Sequence, residues 1–387
     1  MFSSCSGSCD VNSKNINAGL LQETAGNLIN IDRTAAANDP LRIKAIEIAS
    51  AMNDRHLAAQ LLITGIDGRR NLPLYMVNML SEIPTGGVML FRYNLDTDNE
   101  SIKSLLSQTS MVINESSGIP PFVAVDHEGG TVNRFLSGVA TLPDASLYWN
   151  IYLEEGFYPA IDKIKSDSFK AGSVIKDLGI NMNFAPIAEH LTDDNRIFLS
   201  RRSYGPDIYF TSQAADAFMQ GMHEAGVFCV IKHFPGSAGP DPHYSASVIY
   251  RDRQQLDILV SPFASLINNG ARAVMAAHTL IPAIDNNNIA SLSPYVMQNW
   301  LRGDLGFDGI IISDDFIMEA AGGLSSYQAT VQSIIAGADM ILVWPGYLRD
   351  THNAILSALE DGTLSRQRLL DAAQNVIYEK LRFGLMK

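Results

Sequence analysis

The segment Val230-Ile-Lys-His-Phe-Pro-Gly-Ser-Ala-Gly-Pro-Asp-Pro-His243 carries the residues best suited to chemistry. An apolar run delivers Lys232 and His233, and a loop of chain breakers follows with Asp241 and His243 two residues apart. Pro235, Gly236, Gly239, Pro240 and Pro242 forbid a continuing strand or helix, so Asp241 and His243 ride a surface loop able to fold over a pocket. An imidazole beside a carboxylate suits proton transfer near neutral pH, because a free histidine titrates near 6.5 and a neighbouring carboxylate raises that value.

Such residues act only if a rigid frame holds them. Eight apolar runs recur along the chain, at 61–66, 87–91, 122–126, 181–186, 228–233, 273–278, 309–314 and 338–344. Helical patterns lie between them, at 102–113, 163–178, 211–225, 254–268, 293–301 and 325–336. Strict alternation of strand and helix implies parallel strands covered on both faces, which explains why the runs are continuously apolar. Eight is the number a closed barrel needs, so the expected fold is α/β, a TIM-type (β/α)8 barrel in a single domain.

Polar residues gather at one end of these runs. Asp126 and Glu128, Asn183, Lys232 and His233, His278, then Asp314 and Asp315 all fall at or past the C-terminal ends, where barrel enzymes carry their sites. The opposite ends read as ordinary turns, as in 303–309. The last helix is expected from an N-cap at Ser365 to about Leu381, packing its apolar stripe on the outside of the barrel, with Gly384 beyond it. Residues 1–45 read as a polar, disordered lead and 46–387 as the barrel with its packing helix.

Composition narrows the partners. A net charge of −13 disfavours a nucleic-acid groove or an anionic membrane surface, both of which need clustered Lys and Arg. A small polar ligand fits better. The sequence contains no apolar stretch of the roughly 20 residues a membrane span requires. Of the three cysteines, Cys229 sits inside an apolar run and reads as a small buried hydrophobe, while Cys5 and Cys9 lie in the polar lead. The expected location is the cytoplasm, with a periplasmic or lipid-anchored protein as the alternative if an upstream signal was removed. A monomer is expected.

Seven motifs together resemble glycoside hydrolase family 3, in its bacterial β-N-acetylglucosaminidase branch: 86–91, 125–130, 181–186, 202–207, 232–236, 241–243 and 313–318. The resemblance implies an exo-acting, retaining β-N-acetylhexosaminidase that releases terminal N-acetylglucosamine from peptidoglycan fragments or chitooligosaccharides. It implies Asp314 as the nucleophile that forms a covalent glycosyl-enzyme, with His243 as acid and then base, oriented by Asp241. Asp126, Arg202, Lys232 and His233 match positions that hold the terminal sugar. His278 and Asp315 read as supports of the site, and Glu128 as an acceptor of loop amides beside Gly129 and Gly130. No cofactor and no metal are implied, since Asp126, His233 and His278 lack a metal-ligand spacing.

Two positions depart from the family pattern. Ser237-Ala-Gly239 stands where His-Gly-Asp is usual, and Thr131 stands where Arg is usual. The loop is therefore expected to be reshaped. Two other readings are a phosphorylase on the same scaffold, because a neutral histidine does not repel phosphate as a carboxylate would, and a catalytically inactive sugar-binding barrel.

Overall fold

The computed structural model describes residues 39–135, 140–239, 247–316 and 324–387. The loop residues Asp241 and His243 lie outside this set, as do 317–323, just past Asp314, and nearly all of the polar lead.

Twelve strands occur among the described residues: β1 Leu62–Gly65, β2 Gly87–Leu90, β3 Phe122–Val125, β4 Met182–Asn183, β5 Phe228–Cys229, β6 Ile231–Phe234, β7 Ser247–Val248, β8 Ala273–Ala276, β9 Thr279–Ile281, β10 Asp285–Ile289, β11 Ile310–Ser313 and β12 Met340–Val343. Nine form one parallel sheet in the order β5-β4-β3-β2-β1-β12-β11-β8-β6. Its two outermost members, β5 and β6, are consecutive in the chain with only Val230 between them. The expected run 228–233 is thus one strand shared by both edges of the sheet. Val230 N donates to Asn183 O at 2.9 Å, and Lys232 N to Pro186 O at 3.2 Å, so the ring closes and the barrel has no free edge. The remaining strands, β7, β9 and β10, make a small separate sheet beside the barrel.

Alternation along each strand sorts side chains between inside and outside. Phe122 and Ala124, Phe228 and Val230, Ile310 and Ile312, and Met340 and Leu342 share an interior cluster. Val123, Val125, Ile311 and Ile341 face outward into the larger cluster formed with the helices. Both faces are buried, as the uninterrupted apolar runs require. Cys229 is a free, buried thiol whose pKa is pushed up by burial.

The helices follow their sequence signals, with two refinements. The stretch expected as one helix over 254–268 is two, Arg253–Leu259 and Ser261–Asn268, the second having Pro262 in its first turn. A helix Pro40–Ala51 also spans the expected boundary at residue 45, burying Ala45 and Ala49 and laying Arg42 over the Tyr378 ring at 4.1 Å. Residues 40–45, which the expected boundary gave to the polar lead, are therefore helical.

The C-terminal helix runs Arg366–Arg382 and is capped by Ser365 as expected, with Arg368 N donating to Ser365 Oγ at 3.2 Å. Its apolar stripe of Leu369, Ala373, Ile377 and Leu381 joins the outer cluster as expected, and the helix also reaches inward. Val376 joins the barrel-interior cluster and Phe383 and Leu385 pack against it, so this segment stoppers the floor of the barrel. Phe383 meets Phe228 edge-on at 5.3 Å between centroids. The floor is also more polar than the sequence suggests. Asp339 is fully buried and pairs with Arg302 and Arg368, while Glu379 and Asp308 pair with Arg272. These groups satisfy one another beneath covering helices, which explains how a strand's starting end can carry charge without being a site.

Lys380 is fully buried in the same floor, donating to Gln60 Oε1 at 2.9 Å and lying over the Phe122 ring at 5.4 Å. Desolvation lowers its pKa to about 7. Unfolded, a lysine keeps its proton to ~10.4. Between those values the folded chain binds fewer protons, so stability rises with pH, and below pH 7 the cost of burying the charge is complete. The unfolding free energy of the wild-type protein should therefore rise relative to that of Lys380→Met by ~1.4 kcal/mol per unit from pH 7.5 to 9.5 in denaturant titrations. A constant difference across that range would show that Lys380 does not titrate there.

Candidate active site

The C-terminal mouth of the barrel collects the candidate residues around one buried cation. Lys232 is inward at the middle of β6 and only 3% exposed. Its Nζ lies 2.6 Å from Glu128 Oε1 and 2.5 Å from Asp126 Oδ1. Arg202, from the short turn Ser200–Arg202, forks onto the other side of Glu128, with Nε to Oε2 and Nη2 to Oε1 both 2.8 Å. Arg134 Nη2 meets Asp126 Oδ2 at 2.8 Å. Two carboxylates and three cations thus form one chain of contacts: Arg202, Glu128, Lys232, Asp126, Arg134.

Local backbone geometry sets the two carboxylates. Asn183, on β4, accepts from His127 N and donates to His127 O, both at 2.9 Å, which pins the residue between Asp126 and Glu128. His127 itself is buried, and desolvation lowers its pKa, keeping it neutral while its Nε2 contacts Ala140 O at 2.7 Å. Past Glu128 the chain turns through Gly129 and Gly130 with φ of 105° and 53°. A Cβ on Gly130 would lie 1.9 Å from Asp144 Oδ1, so only glycine permits this approach. Thr131, where the sequence departs from the family pattern, donates its amide to Asp144 Oδ1 at 3.2 Å.

The expectation for Glu128 was a role with loop amides. Instead its carboxylate is spent on Lys232 and Arg202. Burial alone would raise its pKa, but the charges of those two cations outweigh it and hold the carboxyl far below the usual range. The Nε–Nη2 edge of Arg202 is committed to Glu128, so Arg202 can reach a ligand only through its other edge.

His233 is held from a different direction. The strand-like segment after β4 pairs Ile187 with Lys232, which brings Glu189 alongside His233. Glu189 Oε1 lies 2.8 Å from His233 Nδ1, and Oε2 accepts from Ser237 N at 2.7 Å and Ser237 Oγ at 2.6 Å. Glu189 is buried, which would raise its pKa, yet hydrogen bonds from His233 and Ser237 keep it lowered. Ser237, the other departure from the family pattern, thus replaces the usual residue with a donor matched to Glu189. Farther along, Gly239 N donates to Asp194 O at 2.7 Å and Ala238 N to Ser247 Oγ at 3.0 Å.

Asp314 follows β11 at the same mouth, its Oδ1 accepting from Asp315 N at 2.8 Å. Burial works to raise its pKa, and the fields of His278, His233 and Lys232 together with that amide lower it, so it is ionised at neutral pH. His278 is oriented by Ser291 Oγ at 2.7 Å and Asp315 O at 3.0 Å, and it stacks on Phe316 at 4.9 Å. The Asp315 carboxylate accepts from the Trp344 indole. Both residues thus hold polar contacts at the mouth beside Asp314.

The structure therefore unites Asp126, Arg202 and Lys232 in one network and sets His233 and Asp314 within its field. Sequence reasoning missed Arg134 and Glu189. Arg134 lies only eight residues past Asp126 in the same glycine-rich loop, and Glu189 three past the 181–186 motif, so proximity to a strand end was the available signal. Among the described residues no group of three His, Cys, Asp or Glu is placed to hold a metal.

A family model described as the glycosyl hydrolase family 3 N-terminal domain matches residues 57–378. This chain belongs to glycosyl hydrolase family 3. Curated relatives named beta-hexosaminidase include one from Xylella fastidiosa, 31% identical over 300 residues covering 76% of this chain and 87% of the relative. Another, from Tolumonas auensis, is 32% identical over 301 residues, covering 76% and 86%. Among solved structures, a family 3 beta-N-acetylglucosaminidase from Paenibacillus superposes with a TM-score of 0.80 at 29% identity, covering 87% of this chain and 63% of that one. A beta-N-acetylhexosaminidase from Beutenbergia cavernae shares the fold with a TM-score of 0.76 at 24% identity, over 85% and 98% of the two chains.

Removing the carboxylate at the centre of the cluster tests its architecture. Glu128→Gln leaves Lys232 and Arg202 with one anion fewer in a dry site, and should cost about 3–5 kcal/mol in denaturant unfolding at pH 7. The stability that Glu128 contributes is complete above its ordinary value near 4.5 and is lost as pH falls through the lowered folded value. The wild-type advantage over Glu128→Gln should therefore shrink below pH 4.5. An advantage unchanged down to pH 3 would contradict this assignment.

Proposed function

We propose that the chain is an exo-acting, retaining β-N-acetylhexosaminidase that removes terminal N-acetylglucosamine from peptidoglycan fragments or chitooligosaccharides. The observation that carries the reading is the placement of Asp314 directly after β11 at the barrel mouth, in the field of His278, His233 and Lys232. A retaining glycosidase needs an anionic nucleophile beneath the anomeric carbon and a fixed set of hydroxyl ligands. Asp314 supplies the first. Asp126, Lys232, His233 and the outer edges of Arg202 and Arg134 supply the second, with carboxylate acceptors and cationic donors on adjoining strand ends.

In the first step Asp314 attacks the anomeric carbon, the glycosidic bond breaks, and His243 donates its proton to the departing oxygen. In the second, His243 takes a proton from water, which attacks the same carbon and frees Asp314. Asp241 holds the His243 tautomer and stabilises the imidazolium. Family membership and the names of the relatives support the choice of amino sugar. The fields of His278, His233 and Lys232 keep Asp314 anionic, so the nucleophile is available without a separate base.

The deciding assay is release of 4-nitrophenol from N-acetyl-β-glucosaminide and β-glucoside substrates, with and without phosphate. Strong preference for the N-acetylglucosaminide, unaffected by phosphate or EDTA, is expected, and equal turnover of the two sugars would refute the assignment. Asp314→Asn should lower kcat by several powers of ten with the fold retained. A 2-deoxy-2-fluoro glycoside inactivator should label Asp314 in mass spectrometry, and label on Asp126 or Asp315 would assign the nucleophile elsewhere. His243→Ala should slow substrates with poor leaving groups far more than aryl glycosides, since the latter need little protonation. Equal slowing of both would make His243 a binding residue.

A further inference from the structure

Two consecutive arginines at the mouth pair with two different carboxylates. Arg202 forks onto Glu128 at 2.8 Å, and Arg201 Nη1 lies 3.0 Å from Asp144 Oδ2. The residue before them has an unusual backbone. Ser200 adopts φ 45° and ψ −119°, and among the described residues it is the single non-glycine with positive φ. That ψ lies far from the left-handed helical region and matches the first central residue of a type II′ turn, a position dominated by glycine because a Cβ is crowded there. The reversal separates the short helix Arg196–Leu199 from the turn Ser200–Arg202 that presents both arginines.

The Ser200 side chain is exposed, so the strain is held by what lies on either side of it. Leu199 is fully buried. Ser203 is 1% exposed and donates its Oγ to Glu189 O at 2.9 Å, and the Arg202 guanidinium lies 4.8 Å over the Phe198 ring.

The facing carboxylates form one rigid unit. Asp144 Oδ1 accepts from Thr131 N at 3.2 Å, Gly130 N donates to Leu142 O at 2.9 Å, and Gly130 is pressed against Asp144 too closely for any Cβ. Glu128 and Asp144 therefore keep a fixed separation. A single ion pair holds one point and leaves the turn free to pivot about it. A second pair, one residue away on the same rigid unit, removes the pivot. The restraint matters because the Nε–Nη2 edge of Arg202 is engaged by Glu128, and the direction of its other edge follows the turn.

We propose that Arg201 is a positioning residue of the terminal-sugar site: with Asp144 it clamps the reversal at Ser200 and so aims the free edge of Arg202. The inference rests on the reading of Arg202 as a ligand of the terminal sugar. The Arg201 side chain is 62% exposed, so the clamp is an exposed pair and its effect is modest, about 2- to 5-fold in binding.

The test is steady-state hydrolysis of 4-nitrophenyl N-acetyl-β-glucosaminide, well below the unfolding midpoint of each variant. Arg201→Gln should raise KM about 2- to 5-fold with kcat unchanged, since the free edge of Arg202 holds ground state and transition state alike. Arg201→Lys should stay within about 2-fold of wild type, because it keeps the charge beside Asp144. Asp144→Asn retains the acceptor for Thr131 N and should raise KM as Arg201→Gln does, and the double variant should be no worse than either single one. Ser200→Gly should keep wild-type kinetics, whereas Ser200→Val, whose branched side chain resists this backbone, should raise KM about 10-fold. Unchanged KM in Arg201→Gln with only a lowered unfolding midpoint would overturn the proposal. So would additive effects of the Arg201 and Asp144 substitutions, or an Asp144→Asn enzyme with wild-type KM, which would mean that Arg201 touches the ligand itself. Equal losses in Ser200→Gly and Ser200→Val would assign the effect to the hydroxyl and refute the role of the turn. A wild-type enzyme inactive on the aryl N-acetylglucosaminide would bring down the terminal-sugar reading, whereas an active one indifferent to Arg201 would remove only the clamp.

Discussion

A lysine ammonium stripped of water inside a barrel mouth is tolerable only when anions surround it. Lys232 meets that condition by touching two carboxylates, and each of those carboxylates in turn needs a further cation or amide. Arg202 completes Glu128, Arg134 completes Asp126, and Asn183 holds the peptide between them. Breaking any link leaves an uncompensated charge in a poorly solvated place, so the set behaves as one unit. Its rigidity serves chemistry, because a hydroxyl-binding surface that must not move is built from groups that cannot afford to.

The same strand that supplies Lys232 closes the barrel. Residues 228–234 pair with β4 through their first half and with β8 through their second, so the two edges of the sheet meet in one segment. Coupling closure to the site has a mechanical consequence. Lys232 and His233 stand on backbone hydrogen-bonded from both sides, and Glu189 reaches His233 only because Ile187 is drawn in beside Lys232. The two ends of the barrel also solve different problems. At the floor, Asp339, Arg302, Arg368, Arg272 and Glu379 neutralise one another under helices, and the C-terminal helix seals the interior. At the mouth, the paired charges of Lys232, Glu128, Asp126, Arg202 and Arg134 stand on strand ends and the loops that follow them.

Much of this was legible in the residues alone. Eight apolar runs separated by helical patterns specify a parallel barrel, because only strands covered on both faces can be apolar throughout. The clustering of Asp126, Lys232, His233 and Asp314 at strand ends points to the mouth for the same topological reason, and Ser365 announces its helix through a local capping bond. Local chemistry of this kind depends on neighbours within a few positions, which a sequence displays directly. Partnerships across the barrel are another matter. That Glu128 answers Lys232 and Arg202, that Glu189 bridges to His233 and Ser237, and that the last helix stoppers the floor all join residues dozens to hundreds of positions apart. Which carboxylate meets which cation is decided by strand register and by the turn at Gly129 and Gly130, where a shift of one residue would send every side chain to the opposite face. The sequence by itself determined the barrel and the end that carries chemistry, while tertiary structure alone decided the charge pairing, since spacing along the chain holds no record of distance across it.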